Sequence, residues 1–308
     1  MSVAQPDIHA AFQYFLGRKP SPEHPPEFAS IGEMLRVIMQ SAEFRASPRA
    51  KRSDLAWPLR QNFVSQKARV VYCPVGKNAC TFLKRQVVLS SDVNYRKQIA
   101  DYNVHALTDQ VRSGMQLSDY SETDVTHFLT SPDYFRFAVI RAPIDRLLSA
   151  YLEKFVSERM SVPNWTHTKP VVWHVQRAAG FDEVDMDRGI TFRAFVEFVV
   201  SRAPEQLDAH WRPQHLYLEG VKWDRLYKMS ELTDVTDMLE ARSGRVLPRK
   251  PVNVTGKLGR TFKEGAADLL PGEVSRMPQL TTESYLDPAL RETIESYFAE
   301  DTLLLSGN

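Results

Sequence analysis

The sequence predicts an α/β fold with a central parallel sheet flanked by helices, and three observations lead there. Two stretches, 68–89 (ARVVYCPVGKNACTFLKRQVVL) and 132–155 (PDYFRFAVIRAPIDRLLSAYLEKF), each read as a strand, a short loop and a helix. Repeated strand–loop–helix order is how parallel sheets are assembled, because parallel neighbours need a crossover between them. The third observation is size. A chain of 308 residues, 43% hydrophobic and 25% charged, can bury one large core or one plus a small module.

Taken in order, residues 1–50 form a small helical module. Residues 9–16 and 31–44 have helical patterning, with Met34, Leu35, Ile38 and Met39 at core spacing, and a proline-rich hinge, RKPSPEHPPE, separates them. The outline YFLGRKP…SAEF resembles small helical modules attached to bacterial glycan-modifying enzymes; a helical cap or dimer surface reads equally well. Residues 51–67 are a basic, polar linker in which Trp57 is placed to pin it to the next domain, which runs over 68–308.

The first strand–loop–helix organises the chain. Val70, Val71 and Tyr72 form a buried strand, Pro74 and Gly76 mark the turn, and Phe82, Leu83 and Val87 resume at helical spacing. The backbone N–H groups of residues 78–82 are unpaired at that helix start, and the helix dipole favours an anion there. Lys77 adds a cation. A nucleoside-triphosphate loop wants a glycine, four residues, then Gly-Lys-Ser/Thr. Here position 71 is Val71 and Asn78 follows the lysine, so no hydroxyl stands ready for magnesium. The loop reads as a phosphate site working without a metal, against the plainer reading of an ordinary α/β connection.

Cys73 and Cys80 bracket this loop without the spacing of a zinc site or a disulfide framework, so Cys73 reads as core and Cys80 as a small junction residue. In the second stretch, 135–140 is strand-like and ends on Arg141. Pro143 suits a first helical position, Asp145 complements the first-turn dipole, and Leu147, Leu148, Tyr151, Leu152 and Phe155 make an apolar stripe that leaves Arg141 and Ser149 off it. Arg141 thus stands at the ligand-binding edge of an α/β sheet.

Beyond this, 156–190 is irregular by pattern, and Thr191 caps a helix. Residues 221–229 alternate as a strand, 231–241 and 288–305 are helical, and 244–260 is a basic loop. In that loop Lys250, Asn253 and Lys257 either close over a nucleotide or are plain basic surface. Trp211 and Trp223 read as sugar-stacking or core residues.

A formal net charge of +1 excludes a general nucleic-acid binder, whose basic footprint is stronger. No apolar run is long enough for a transmembrane helix, and the first residues lack the pattern of a secretory signal. A cytoplasmic protein is expected, with peripheral membrane contact and an oligomer left open. His210 and His215 do not have metal-ligand spacing, and no metal is expected.

CPVGKNACTFLKR resembles the 5′-phosphosulfate loop of sulfotransferases that use 3′-phosphoadenosine 5′-phosphosulfate, and FAVIRAPIDRLLSAYLEKF resembles the same family's 3′-phosphate motif. The subgroup is that of carbohydrate sulfotransferases of the chondroitin and HNK-1 type and their bacterial relatives; HWRPQ, VKWDRLYKMSEL and the C-terminal Tyr297, Phe298 and Asp301 add to the likeness. The resemblance implies the three-layer, P-loop-like sulfotransferase fold. It also implies a glycan or glycolipid acceptor and 3′-phosphoadenosine 5′-phosphate as product. Lys77 would contact the phosphosulfate, and the amides of Asn78, Ala79, Cys80, Thr81 and Phe82 would cradle the 5′-phosphate, with the Thr81 hydroxyl an added donor. Arg141 and Ser149 would hold the 3′-phosphate, and His105 would be the general base, with His210 as the second candidate. Ala142 departs from the family's acidic residue at that place. Two other classes stay open beside the sulfotransferase: a P-loop-like kinase, and a non-catalytic binder of nucleotide or sulfated glycan on the same fold.

Overall fold

The computed structural model describes residues 2–51, 55–249 and 261–307. Along the chain the strands are β1 (Phe63–Ser65), β2 (Val70–Cys73), β3 (Phe135–Ile140) and β4 (Arg225–Lys228). The helices are α1 (Gln5–Leu16), α2 (Ile31–Gln40), α3 (Ala42–Ala46), α4 (Cys80–Leu89), α5 (Arg96–Asp101), α6 (Val104–Asp109), α7 (Glu122–Thr130), α8 (Pro143–Tyr151), α9 (Trp165–Ala178), α10 (Phe192–Val200), α11 (Leu232–Ser243), α12 (Pro271–Val274), α13 (Pro288–Tyr297) and α14 (Ala299–Ser306). The chain divides into two interleaved compact units. The first holds Met1–Pro74, Cys80–Ala138 and Gly220–Lys250; the second holds Val75–Ala79, Val139–Glu219 and Pro251–Asn308.

The first unit contains the sheet, in strand order β1-β2-β3-β4, with the last two residues of β3 passing into the second unit. β2 and β3 are parallel, pairing Val70 with Phe135 and Cys73 with Ala138, as the two strand–loop–helix patterns predict. β1 pairs antiparallel with β2, so the sheet is mixed rather than wholly parallel. The reason is local: the short QKAR connection between Ser65 and Val70 can make only a hairpin, and Arg69 adopts a left-handed φ of 49° within it. Every residue of β2 is buried, and Tyr72 stacks on Phe137 at 5.1 Å between ring centroids.

The expected helix over 31–44 is two helices. Ser41 is extended at the break, and its Oγ accepts from the Phe44 amide to start α3. The polar region 90–133 holds three short helices, of which α6 starts where the Asn103 side chain accepts from the Ala106 amide. α11 ends at Gly244, left-handed at φ 67°, a conformation glycine takes without strain.

The second unit is helical. Tyr151, Phe155, Phe192, Phe195 and Trp211 form the aromatic centre of its core. α8 runs into a π-helical turn, Leu152–Ser157. Residues 156–190 are not irregular throughout, because α9 occupies fourteen of them. Pro170 and its polar neighbours hide this helix in the sequence, yet Thr168, Val171, Val172 and Gln176 share a buried face at helical spacing. α10 starts as predicted, with Thr191 Oγ1 accepting from the Ala194 amide. The C-terminal helix breaks at Phe298 into α13 and α14. Among the described residues no helix is long and apolar enough to cross a membrane.

Candidate active site

In the second unit the loop Val75–Ala79 is wound tightly, with Lys77 and Ala79 both at positive φ, 69° and 56°. Alternating conformations of this kind turn successive amides toward one side, the geometry that receives anions. Gly76 lies against the chain at 209–210: a Cβ on it would stand 2.9 Å from the Ala209 carbonyl oxygen. That oxygen also accepts from the Tyr217 hydroxyl and cannot swing away without cost. Gly76→Ala should therefore lower unfolding stability by about 1–3 kcal/mol, the usual cost of overpacking, read from the urea midpoint at constant m.

Buried Arg146 pins the same loop, donating from Nε to the Gly76 carbonyl at 2.9 Å and from Nη1 to the Arg212 carbonyl at 2.7 Å. The Asn78 amide donates to Val139 O at 2.8 Å and to Gln214 Oε1 at 2.9 Å. Gln214, fully buried, also accepts from the Arg141 N–H and donates to the Arg141 carbonyl, while its own N–H donates to buried Asp301. One side chain thus ties the Val75–Ala79 loop to the end of β3.

Arg141 and Ser149 line one cavity of about 210 Å³, together with Asp145, Glu153, Gln279 and Tyr285. α8 carries Ser149 two turns from its start. That start is Pro143, and the cap residue Ala142 offers no side-chain bond there. The Arg141 guanidinium donates to the Lys77 carbonyl at 3.1 Å; burial pushes its pKa down, and Asp145 opposes the shift. Lys77 Nζ bonds Glu153 Oε2 at 2.6 Å, and Lys154 lies 3.3 Å from the other oxygen. Burial raises the Glu153 carboxyl, but the two lysines outweigh it and hold it below the usual range. A carboxylate thus holds the lysine at the edge of a cavity that the predicted 3′-phosphate residues line.

In the first unit, α4 begins at Cys80 directly after the loop, with Thr81 and Cys80 partly exposed and the Phe82 ring buried in the core. Cys73 is core, and burial pushes its thiol up. His105 on α6 has both ring nitrogens engaged: Nε2 lies 2.9 Å from Thr81 Oγ1, and Nδ1 lies 3.1 Å from Lys84 Nζ. Asp109 pairs with that lysine at 3.4 Å.

Back in the second unit, Asp208 binds two imidazoles. Its Oδ2 is 2.8 Å from His167 Nδ1 and its Oδ1 is 2.7 Å from His210 Nδ1. One ligand atom from each of the three residues lies within 4.8 Å of the others, the clustering a cation site would need. The nitrogen–oxygen pairs are closer, however, than the roughly 3.3 Å implied between neighbouring ligands on a tetrahedral zinc, so they are imidazole–carboxylate hydrogen bonds. Burial lowers the His210 pKa, Asp208 opposes it, and Lys154 and His167 lower it further. Trp211 is core, packed on Phe155 and Phe195, and does not offer a face to a sugar. Lys250, Asn253 and Lys257 lie outside the described residues. Sequence reasoning missed Glu153, Gln214, Arg146 and Asp208, though Gln214 stands inside the HWRPQ segment it had singled out.

The sequence profile of the sulfotransferase family matches residues 60–306. Among curated proteins, the chain is 30% identical over 155 residues to human carbohydrate sulfotransferase 14, covering 50% of this chain and 38% of that one. It is 27% identical over 155 residues to the zebrafish (Danio rerio) carbohydrate sulfotransferase 14, covering 50% and 40%. Carbohydrate sulfotransferase 10 of Xenopus laevis is 29% identical over 170 residues, covering 54% and 45%. The matches thus span less than half the length of these relatives. No solved structure matches the chain.

Proposed function

The chain belongs to the sulfotransferase family, and from that premise we propose that it transfers a sulfuryl group from 3′-phosphoadenosine 5′-phosphosulfate to a hydroxyl of a carbohydrate or glycolipid. The observation that carries this reading is the cavity that brings Arg141 and Ser149 together beside Glu153, the partner of Lys77. Guanidinium and hydroxyl there suit the oxygens of a 3′-phosphate. The amides of residues 78–82 and the Thr81 hydroxyl suit the 5′-phosphate. Likeness to carbohydrate sulfotransferases supports the acceptor class.

In the transfer, the acceptor oxygen attacks sulfur as the bond from sulfur to the bridging phosphate oxygen breaks, and that oxygen keeps the electron pair. Lys77 exchanges Glu153 for the donor and neutralises the charge that develops there. The acceptor proton passes to a histidine, a base matched to neutral pH.

Calorimetric titration with 3′-phosphoadenosine 5′-phosphate, without magnesium and against magnesium-ATP, tests the donor. Saturable binding is expected for the bisphosphate alone. Arg141→Ala should weaken it roughly 10- to 100-fold, the loss of charge-assisted hydrogen bonds worth about 1.5–3 kcal/mol. A preference for magnesium-ATP would overturn the reading and favour a kinase.

A further inference from the structure

We infer that His210, oriented by Asp208, is the base that takes the acceptor proton, and that His105 is a positioning residue for Thr81. The inference rests on the sulfuryl-transfer reading and concerns which of two histidines has a nitrogen to offer.

A general base needs a ring nitrogen with an uncommitted lone pair. Lysine ammonium is a donor only, so at His105 the Nδ1 lone pair receives Lys84. The ring proton of neutral His105 then sits on Nε2 and is donated to Thr81 Oγ1. Both nitrogens are spoken for by groups of α4, at 2.9 and 3.1 Å. This arrangement suits another task. A Thr81 oxygen that accepts from His105 has its own O–H turned elsewhere, ready to donate to a phosphate oxygen at the start of the helix.

His210 has the opposite pattern. Carboxylates only accept, so Asp208 fixes the proton on Nδ1 and leaves Nε2 as the basic nitrogen. The same aspartate accepts from the His210 backbone N–H at 2.9 Å, which holds the ring's orientation. Position supports the role. The backbone at 209–210 packs on Gly76, the neighbour of Lys77, and Arg146 ties Gly76 to Arg212. Lys154, bonded to the Glu153 that holds Lys77, also acts electrostatically on His210. In the step, the proton leaves the acceptor hydroxyl for His210 Nε2, Asp208 stabilises the imidazolium, and the proton is later lost to solvent. His167 shares Asp208 through its second oxygen, so both carboxylate oxygens are tethered to a ring nitrogen.

Two measurements decide it, one independent of the acceptor. Two-bond proton–nitrogen spectra of histidine-labelled protein, with resonances assigned through His105→Gln and His210→Gln, report the tautomers. Expected are Nδ1–H with a bare Nε2 for His210, and Nε2–H for His105; Asp208→Asn should erase the Nδ1–H preference at His210. The second measurement pairs affinity for 3′-phosphoadenosine 5′-phosphate with its release from the sulfated donor on unsulfated chondroitin and dermatan chains. His210→Gln and His210→Ala should keep affinity within about twofold and lose turnover by at least ~100-fold, the reach of general base catalysis. His105→Gln should weaken affinity several-fold and keep most of kcat at saturating donor. A bare, basic nitrogen at His105, or loss of kcat at His105 with affinity intact, would overturn the assignment. Failure of the wild-type protein to bind the bisphosphate would instead sink the donor reading, leaving the tautomers as they are.

Discussion

Replacing Lys77 with alanine is expected to cut turnover by about 100- to 1,000-fold, the scale of losing one preorganised group at a site of developing charge. The side chain is 7% exposed and reaches Glu153 at 2.6 Å, so it is already desolvated and aimed before a donor arrives. Little reorganisation is then required when it moves to the bridging oxygen. The same substitution has a signature in stability. Burial raises the Glu153 carboxyl, but Lys77 and Lys154 together lower it by more, so its folded pKa lies below the ordinary one. A depressed carboxylate contributes stability above its unfolded pKa and loses it as pH falls through the folded value. Lys77→Ala removes part of that depression. The stability gap between wild type and variant should be present at neutral pH and close in acid, as both forms protonate Glu153. Urea titrations at several pH values read the gap, and bisphosphate release reads the turnover. Turnover within tenfold of wild type would remove Lys77 from the chemistry.

What the sequence made legible is what is local. β2, β3, the start of α8 and the Thr191 cap are written in runs of a few residues, because strand burial, proline at a first turn and a hydroxyl cap each act within one turn or strand. Lys77, Arg141 and Ser149 were legible through motif resemblance, and the structure brings Arg141 and Ser149 to one cavity. Glu153 was not, since its carboxylate matters only through a lysine 76 residues away. Asp208 looks like a loop acid until His167, 41 residues earlier, is placed beside it. α9 was hidden by Pro170, and the hairpin of β1 by the brevity of that strand. Which nitrogen of a histidine is basic is likewise set by neighbours that spacing cannot reveal.

Gln214→Leu is expected to cost about 3–5 kcal/mol, the second large effect and a purely structural one at its origin. The glutamine is fully buried and its amide makes three bonds: from Asn78 Nδ2 at 2.9 Å, from the Arg141 N–H at 3.2 Å and to the Arg141 carbonyl at 2.8 Å. Leucine fills nearly the same space, so no large cavity opens, and the loss comes from polar groups left behind. Each buried orphan costs about 1–3 kcal/mol; Asn78 keeps Val139 as a partner, which limits the sum. The residue's own N–H keeps Asp301, so the segment stays anchored from the other side. Because the same amide sets both Asn78 in the loop and Arg141 at the strand end, bisphosphate affinity should fall together with stability. Arg141→Ala, by contrast, keeps the backbone bonds to Gln214 and should lose affinity with a smaller loss of stability. Comparing the two variants by urea unfolding and calorimetry separates the clamp from the ligand-facing group. A Gln214→Leu protein within 1 kcal/mol of wild type would mean that the loop and the strand end are held by other contacts, of which Arg146 is the next to remove.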